Sequence, residues 1–460
     1  MYQGIAHEFA DIDLGDERLN RRAVELLETM AENPAASINS ACSGWGDTLA
    51  AYRFFKNDRV EPEKILAPHR SATEARIDEH DVVLIAQDTT ELDFSKHPSK
   101  DSRYLEAEHR MGLYDHSHIA FTPDGLCLGV LDVEFYDRSL ESLGKSKERR
   151  NLPIEEKESH RWLRGCELAN EIAAKHPDTH VVSLSDSEGD IYDIFSRLFN
   201  AKSPADFIIR AKQVRCTPEE SSKEGEDYKR VRDEVAESEV RVIRELVLPR
   251  TPKRKSRLAR LEIRAKTVTM KPPQARPELG NVKCNIVLVE ETGRSDDDKT
   301  KVEWILITTL PIESCEEVLR VVDYYVGRWP IEPYFRVFKT GCRVEDIQLK
   351  TTERRIRYLL FFKIIAWRIL YVTHLGRECP DLPCDQLFLE EEWKPVWKIV
   401  SKKPIPSQAP ALSEFLPMLA QLGGYNNRAN DPAPGPQPIW VGMRRMFDFA
   451  IAWQAFGPGP

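Results

Sequence analysis

Two apolar runs that each stop at an aspartate constrain this chain more than any other feature. DVVLIAQDTT holds Val82 to Ala86 without a polar break and leads to Asp88; HVVSLSDSEGD holds Val181, Val182 and Leu184 and leads to Asp186. A short continuous apolar run suits a strand covered on both faces, which requires helices on either side of a largely parallel sheet. The spacing therefore predicts an α/β core in which two buried strands each end by delivering a carboxylate. At 460 residues with 41% hydrophobic content, the chain is long enough for two or three domains.

The flanks differ in kind. ERLNRRAVELLETMAE puts Leu19, Ala23, Leu26, Leu27 and Met30 on one helical face, with helical stretches again at Asp47 to Lys56 and Glu61 to Arg76. Residues 1–72 read as a small helical domain. HIAFTPDGLCLGVLDVEFY reads as a hairpin about Pro123-Asp124-Gly125, and His160 to Pro177 as a helix. From about 204 to 300, short alternating runs such as VRVIRELVL, RLEIRAKTVTM and KCNIVLVEE form a β-rich insertion, with PEESSKEGEDYK and GRSDDDKT as loops. The core resumes with VEWILIT and a long helical pattern from Glu313 towards Phe338, and runs to about 372. Residues 373–460, rich in Pro and Trp, read as a third, helical domain.

Charge and cysteine content bound the partners. Lys and Arg total 66 against 75 Asp and Glu, a net charge of −9, which argues against a simple polybasic coat for nucleic acid or membrane, so an anionic partner must be held locally. The best local footprint is Arg250 to Lys266, RTPKRKSRLARLEIRAK; it reads equally as DNA-binding surface or solvated hairpin tip. Nine cysteines without a CxxC pair indicate a reducing, cytoplasmic setting, and the N-terminus lacks an apolar signal core. YLLFFKIIAWRILYV carries Lys363 and Arg368 and reads as a core helix, so no membrane partner is expected.

Two aspartates at adjacent strand ends, completed by a helical carboxylate, can cluster oxygen ligands for a pair of magnesium ions. Glu332 in YYVGRWPIEPYFRVFK is the candidate third acid. On a continuous helix at about 100° per residue, Tyr325, Arg328, Glu332, Arg336 and Lys339 share a band ~80° wide. Each residue has a plainer reading: Asp88 and Asp186 as turn or cap residues, and Glu332 as an i±4 partner of Arg328 and Arg336 on a solvated face. Pro330 and Pro333 remove two backbone donors and can start or kink a helix here. His116 and His118 alternate on a strand and are assigned no role.

The spacing Tyr325, two residues, Arg328, three residues, Glu332, six residues, Lys339 resembles the Y-R-E-K signature of the insertion-sequence-four superfamily of bacterial DDE transposases, best known through the transposon-five enzyme. The likeness extends through LGDERLNRR at Leu14, AYRFFKN at Ala51, QDTT with Asp88, KES before Trp162, SDSEGD with Asp186, FIIRAK with Arg210 and Lys212, the strand Trp304 to Thr308, KTGC at Lys339, and LGGY with PGPQPIWVG. Arg336 stands where the transposon-five enzyme has lysine, and Pro330 where it has arginine.

The resemblance implies an RNase H-like catalytic core interrupted by a β-rich insertion and flanked by helical domains, the first binding transposon ends and the last dimerising. It implies Asp88, Asp186 and Glu332 as the metal triad for two Mg²⁺ or Mn²⁺ ions. It implies Tyr325, Arg328, Arg336, Lys339, Arg210 and Lys212 as DNA contacts, the last two being strand-surface charges by default. Trp304, by default a core residue, would stack a flipped base during hairpin formation. The activity implied is cut-and-paste transposition by a homodimer that synapses terminal repeats in double-stranded DNA and joins them to target DNA at the nucleoid. The same residues leave open a metal-dependent nuclease that never joins, and a non-catalytic inhibitory relative that binds ends.

Overall fold

The computed structural model describes residues 4–144, 152–199, 201–218, 229–248, 256–293 and 301–457. The loops expected at PEESSKEGEDYK and GRSDDDKT, and the start of the basic window at residues 250–255, lie largely outside the described residues. In chain order the helices and strands are α1 (Glu17–Glu32), α2 (Ile38–Ala41), α3 (Trp45–Lys56), α4 (Pro62–Ile77), β1 (Val82–Asp93), β2 (Gly112–Phe121), β3 (Cys127–Tyr136), α5 (His160–Lys175), β4 (His180–Ser185), α6 (Tyr192–Leu198) and β5 (Asp206–Arg210). They continue with α7 (Val231–Ala236), β6 (Val240–Leu248), β7 (Arg257–Met270), β8 (Val282–Glu291), β9 (Glu303–Thr308), α8 (Cys315–Val326), α9 (Ile331–Arg336), α10 (Thr352–Glu378), α11 (Glu390–Ser401), α12 (Leu412–Leu422) and α13 (Pro436–Phe456). This is a mixed α/β protein with strand order β3-β2-β1-β4-β5-β9-β8-β7-β6.

The chain forms two compact units. One gathers residues 1–77, 89–143 and 330–460; the other gathers 78–88 and 144–329. α10, expected over Tyr358 to Val372, runs unbroken for 27 residues, Thr352–Glu378, and is buried almost all round. It is long and apolar enough to cross a membrane, yet 83% of its apolar window is buried inside the fold.

In the first unit α10 is the shared core. The Phe361 ring meets Phe9, Phe54 and Phe55 edge-on at 5.2, 5.8 and 5.5 Å, so N-terminal elements bury apolar side chains against it. Arg357, buried beside it, donates to the Val60 and Phe55 carbonyls. β2 and β3 form the expected hairpin, turned at Gly125 with φ +94°, a conformation that favours glycine. A buried polar knot ties this hairpin to the N-terminus. Glu8 accepts from Arg76 at 3.0 Å and from His69 Nδ1, while His69 Nε2 accepts from the Val130 backbone N–H at 3.0 Å, which fixes the ring's tautomer.

In the second unit the N-terminal half of β1 pairs in parallel with β4, and β4 with β5. β9, β8, β7 and β6 then follow by antiparallel pairings. The β-rich segment is therefore a continuation of the core sheet. Its first strand, β5, expected inside the insertion, is a core strand instead, because FII is fully buried beside β4.

The Glu8 knot generates a pH dependence. Burial pushes the Glu8 carboxyl up, but His69 and Arg76 outweigh it and bring the pKa down to about 2. The folded pKa is thus below the unfolded one, so this stabilisation is present above about pH 4.5 and is lost as pH falls towards 2. Burial also lowers the His69 pKa, which destabilises the fold in the same acid direction. Urea unfolding of Glu8→Gln is expected to show a loss of about 3–5 kcal/mol at pH 7 and a flatter decline between pH 5 and 3 than wild type.

Candidate functional site

In the second unit, the register of three parallel strands lines up the candidate residues. The last β1–β4 pair is Gln87 with Ser185, and the last β4–β5 pair is Ser185 with Ile209. The next residue on each strand is Asp88, Asp186 and Arg210, in a row across neighbours that lie about 4.8 Å apart. Carboxyl ends of parallel strands are where open α/β sheets bind ligands, because the helices leave a crevice there.

Asp186 follows the end of β4 as expected, and its Oδ1 accepts from the Glu188 N–H at 2.7 Å, closing a tight turn. Gly189 completes this turn; a Cβ there would lie 2.7 Å from the Ser185 Cβ. Asp88 differs from expectation, since it sits within β1, which continues to Asp93. The polar run Gln87 to Glu91 is no turn: pairing with β4 stops at Gln87, but β1 continues to Asp93 with β2 as its other neighbour.

Cations complement this row. Arg328 Nη1 lies 2.9 Å from Asp88 Oδ2, with side-chain exposures of 7% and 23%. Arg210 donates to Ser187 Oγ at 3.3 Å. Burial raises the pKa of the Tyr325 phenol, opposed by Arg210 and Arg328 and reinforced by Asp186, so these four groups sense one another. Lys212 is exposed on the loop after β5. As oxygen donors side by side, Asp88 and Asp186 suit a hard divalent ion. Among the described residues, no group of three or more His, Cys, Asp or Glu is set to hold a metal.

The continuous helix assumed for the polar stripe does not form. α8 ends at Val326, α9 begins at Ile331, and Val337–Gly341 is a π turn. Pro330 and Pro333 lack the N–H groups that continuity needs, so the ~80° band computed for a single helix at ~100° per residue does not apply. Glu332 and Arg336 are exposed on α9, Glu332 in its first turn, and Lys339 lies in the π turn; all three belong to the first unit. Lys339 Nζ donates to the Glu91 carbonyl at 2.6 Å and lies 3.4 Å from Glu345.

Trp304, assigned a base-stacking role by resemblance, is a core residue in this structure. Its ring is 7% exposed and packs edge-on against Tyr325 and Trp329 at 5.5 and 5.9 Å, within a cluster that includes Leu306 and Val322. The cause is its register opposite Val289 on β8, which turns the side chain into the core. Sequence reasoning also missed Asp190 and Arg215, a buried ion pair behind the Asp186 turn. The signal was present in the second aspartate of SDSEGD, but a buried pair of distant residues has no local pattern.

Comparison with known proteins adds the chain's two ends. Residues 1–60 match a family model described as Transposase DNA-binding, and residues 364–454 match one described as Transposase Tn5 dimerisation domain. One similar solved structure is the cryo-EM structure of the piggyBac transposase synaptic complex with hairpin DNA. It is 8% identical, with a TM-score of 0.36, covering 99% of this chain and 79% of that one. At that level of likeness nothing further rests on it.

As Trp304 is a core residue, Trp304→Ala is expected to cost about 3–5 kcal/mol in denaturant unfolding. A loss below about 1 kcal/mol would instead indicate a ring free to face a ligand.

Proposed function

We propose that this chain, a transposase of the transposon-five kind with a DNA-binding match at its start and a dimerisation match at its end, is a cut-and-paste enzyme on an RNase H-like core. The observation that carries the reading is the β1–β4 register, which sets Asp88 beside Asp186 in a chain with those two ends. Asp88 and Asp186 would hold the divalent ions, with Glu332 the third acid that the resemblance assigns. Two Mg²⁺ or Mn²⁺ ions, when bound, supply an activated water and charge stabilisation for in-line phosphoryl transfer.

The chain's own residues do the rest. Arg210 and Arg328 offer forked guanidinium groups to phosphate oxygens beside the carboxylates, and Lys212 adds an exposed point charge. Arg336 and Lys339 are the further phosphate contacts that the resemblance assigns. Arg328 is engaged with Asp88, so a phosphate that draws Arg328 away also exposes that carboxylate. The first cut frees a 3′-hydroxyl. That hydroxyl then attacks the opposite strand to form a hairpin; water opens the hairpin, and the 3′-hydroxyl joins target DNA. The dimerisation match supports a homodimer, which would hold two terminal repeats. With a net charge of −9, binding must rest on local cations and weaken steeply with salt.

The test is cleavage and joining on a labelled duplex carrying the element's terminal repeats, with Mg²⁺ or Mn²⁺, for wild type and Asp186→Ala. Hairpin-ended and joined products are expected from wild type and a loss of at least about 10³-fold in the variant. Cut DNA without hairpins or joining would convert the reading to a nuclease. End binding without cleavage would convert it to an inhibitory relative.

A further inference from the structure

Behind the Asp186 turn lies a second aspartate that touches neither the strand-end row nor solvent. The Asp190 side chain is 0% exposed. Its Oδ2 accepts from the backbone N–H groups of Lys212 and Gln213 at 2.7 and 2.6 Å, and its Oδ1 accepts from Arg215 Nε at 3.0 Å. Arg215 also donates from Nη2 to the Asp190 carbonyl at 2.9 Å, and its guanidinium lies 5.6 Å from the centres of the Tyr192 and Phe195 rings. The Tyr192 hydroxyl in turn lies 2.9 and 2.8 Å from the Met270 and Gly280 carbonyls, so the clasp is fixed from behind.

One carboxylate therefore joins two loops that the chain delivers separately. The first, residues 186–190, carries Asp186 at the end of β4. The second, residues 211–215, carries Lys212 after β5. Two backbone donors and a guanidinium need an acceptor-only group with several lone pairs, which an ionised Asp provides. An Asn in the same place keeps the shape but turns one acceptor into a donor facing a donor. Glu is longer by one methylene and would push the loops apart.

We propose that Asp190 is a positioning residue that fixes Lys212, and a DNA phosphate held by it, relative to Asp186. This rests on the transposase reading above. The role is exerted through backbone and a neighbouring cation, without contact to the reacting atoms. Because the clasp acts through Lys212, its loss and the loss of Lys212 are the same loss.

That identity gives the test. Full-length wild type, Asp190→Asn, Lys212→Ala and the double variant are compared on a labelled duplex carrying the element's terminal repeats. Affinity is measured across a salt series and cleavage in single turnover, with the thermal midpoint of each protein recorded. Asp190→Asn is expected to make log K against log salt shallower by about 0.9, the loss of one phosphate contact, and to match Lys212→Ala. Cleavage of bound DNA should fall about 10- to 100-fold, as for a misplaced reactant. The double variant should be no worse than the poorer single variant.

A folded Asp190→Asn with wild-type slope and rate overturns the proposal, and so does a loss that adds in full to that of Lys212→Ala. If Asp190→Asn does not fold, Arg215→Lys keeps the charge but gives up the fork, and the same coupling with Lys212→Ala decides. A wild type that neither binds nor cuts overturns the transposase reading and this proposal with it. An active wild type beside an indifferent Asp190→Asn overturns this proposal alone.

Discussion

The parallel pairing of β1 with β4 is the constraint on which the candidate site depends. It sets two carboxylates side by side, Asp88 within β1 and Asp186 just past the end of β4. Two like charges about 5 Å apart repel by ~3 kcal/mol at an effective dielectric near 20. Strand pairing alone does not relieve that cost, so cations must. Arg328 pairs with Asp88, and Arg210 continues the row beside Asp186. Carboxylates beside guanidinium groups place both signs of charge within reach of one another at this row. This is why an acidic chain can carry a site for a polyanion: the excess of acid lies elsewhere, while the strand ends are locally balanced.

The parts of the fold legible in sequence are those with a local period. α1 begins and ends at the residues its pattern marks, with Asp16 capping the first turn and Asn33-Pro34 following the last. The β2–β3 hairpin turns at Pro123-Asp124-Gly125, and the apolar runs before Asp88 and Asp186 are strands buried beside one another. What was not legible depended on partners far along the chain. A polar run usually ends a strand, but β1 passes through Gln87 to Glu91 with β2, distant in sequence, as its neighbour on the side away from β4. Trp304 on an alternating strand has two possible faces, and only the register against β8 decides which one is core.

The break between α8 and α9 was visible as Pro330 and Pro333, which can start or kink a helix, but the π turn that follows α9 was not. Helical angles add only along an unbroken ladder of hydrogen bonds, and here a gap and a π turn interrupt it. The stripe that the spacing suggested is thus divided: Tyr325 and Arg328 are buried near the strand ends of one unit, while Glu332, Arg336 and Lys339 sit on a short helix and its π turn in the other. A buried pair, Lys363 with Asp115, lies beneath that short helix. Lys363 Nζ is 4.2 Å from the centre of the Phe338 ring and donates to Ser117 at 2.8 Å. A buried charge pair gains little stability over apolar packing. Its geometry, however, ties β2, α10 and the segment that carries Lys339 to one another.

The first unit has a further consequence for how two functions share one chain. The DNA-binding match covers residues 1–60, and the dimerisation match begins at residue 364, inside α10. Phe361, one turn before that start, packs against Phe9, Phe54 and Phe55 from the N-terminal match. Trp367, within the dimerisation match, receives the Arg76 guanidinium at 4.4 Å and the His69 ring at 4.8 Å. Cores are packed to near-crystalline density and transmit strain between their faces. A helix buried all round offers no free side to absorb a change, so a substitution in the middle of α10 disturbs the N-terminal helices and the dimerisation segment together. Through Phe361 and its contacts with Phe9, Phe54 and Phe55, one helix links the two matched segments.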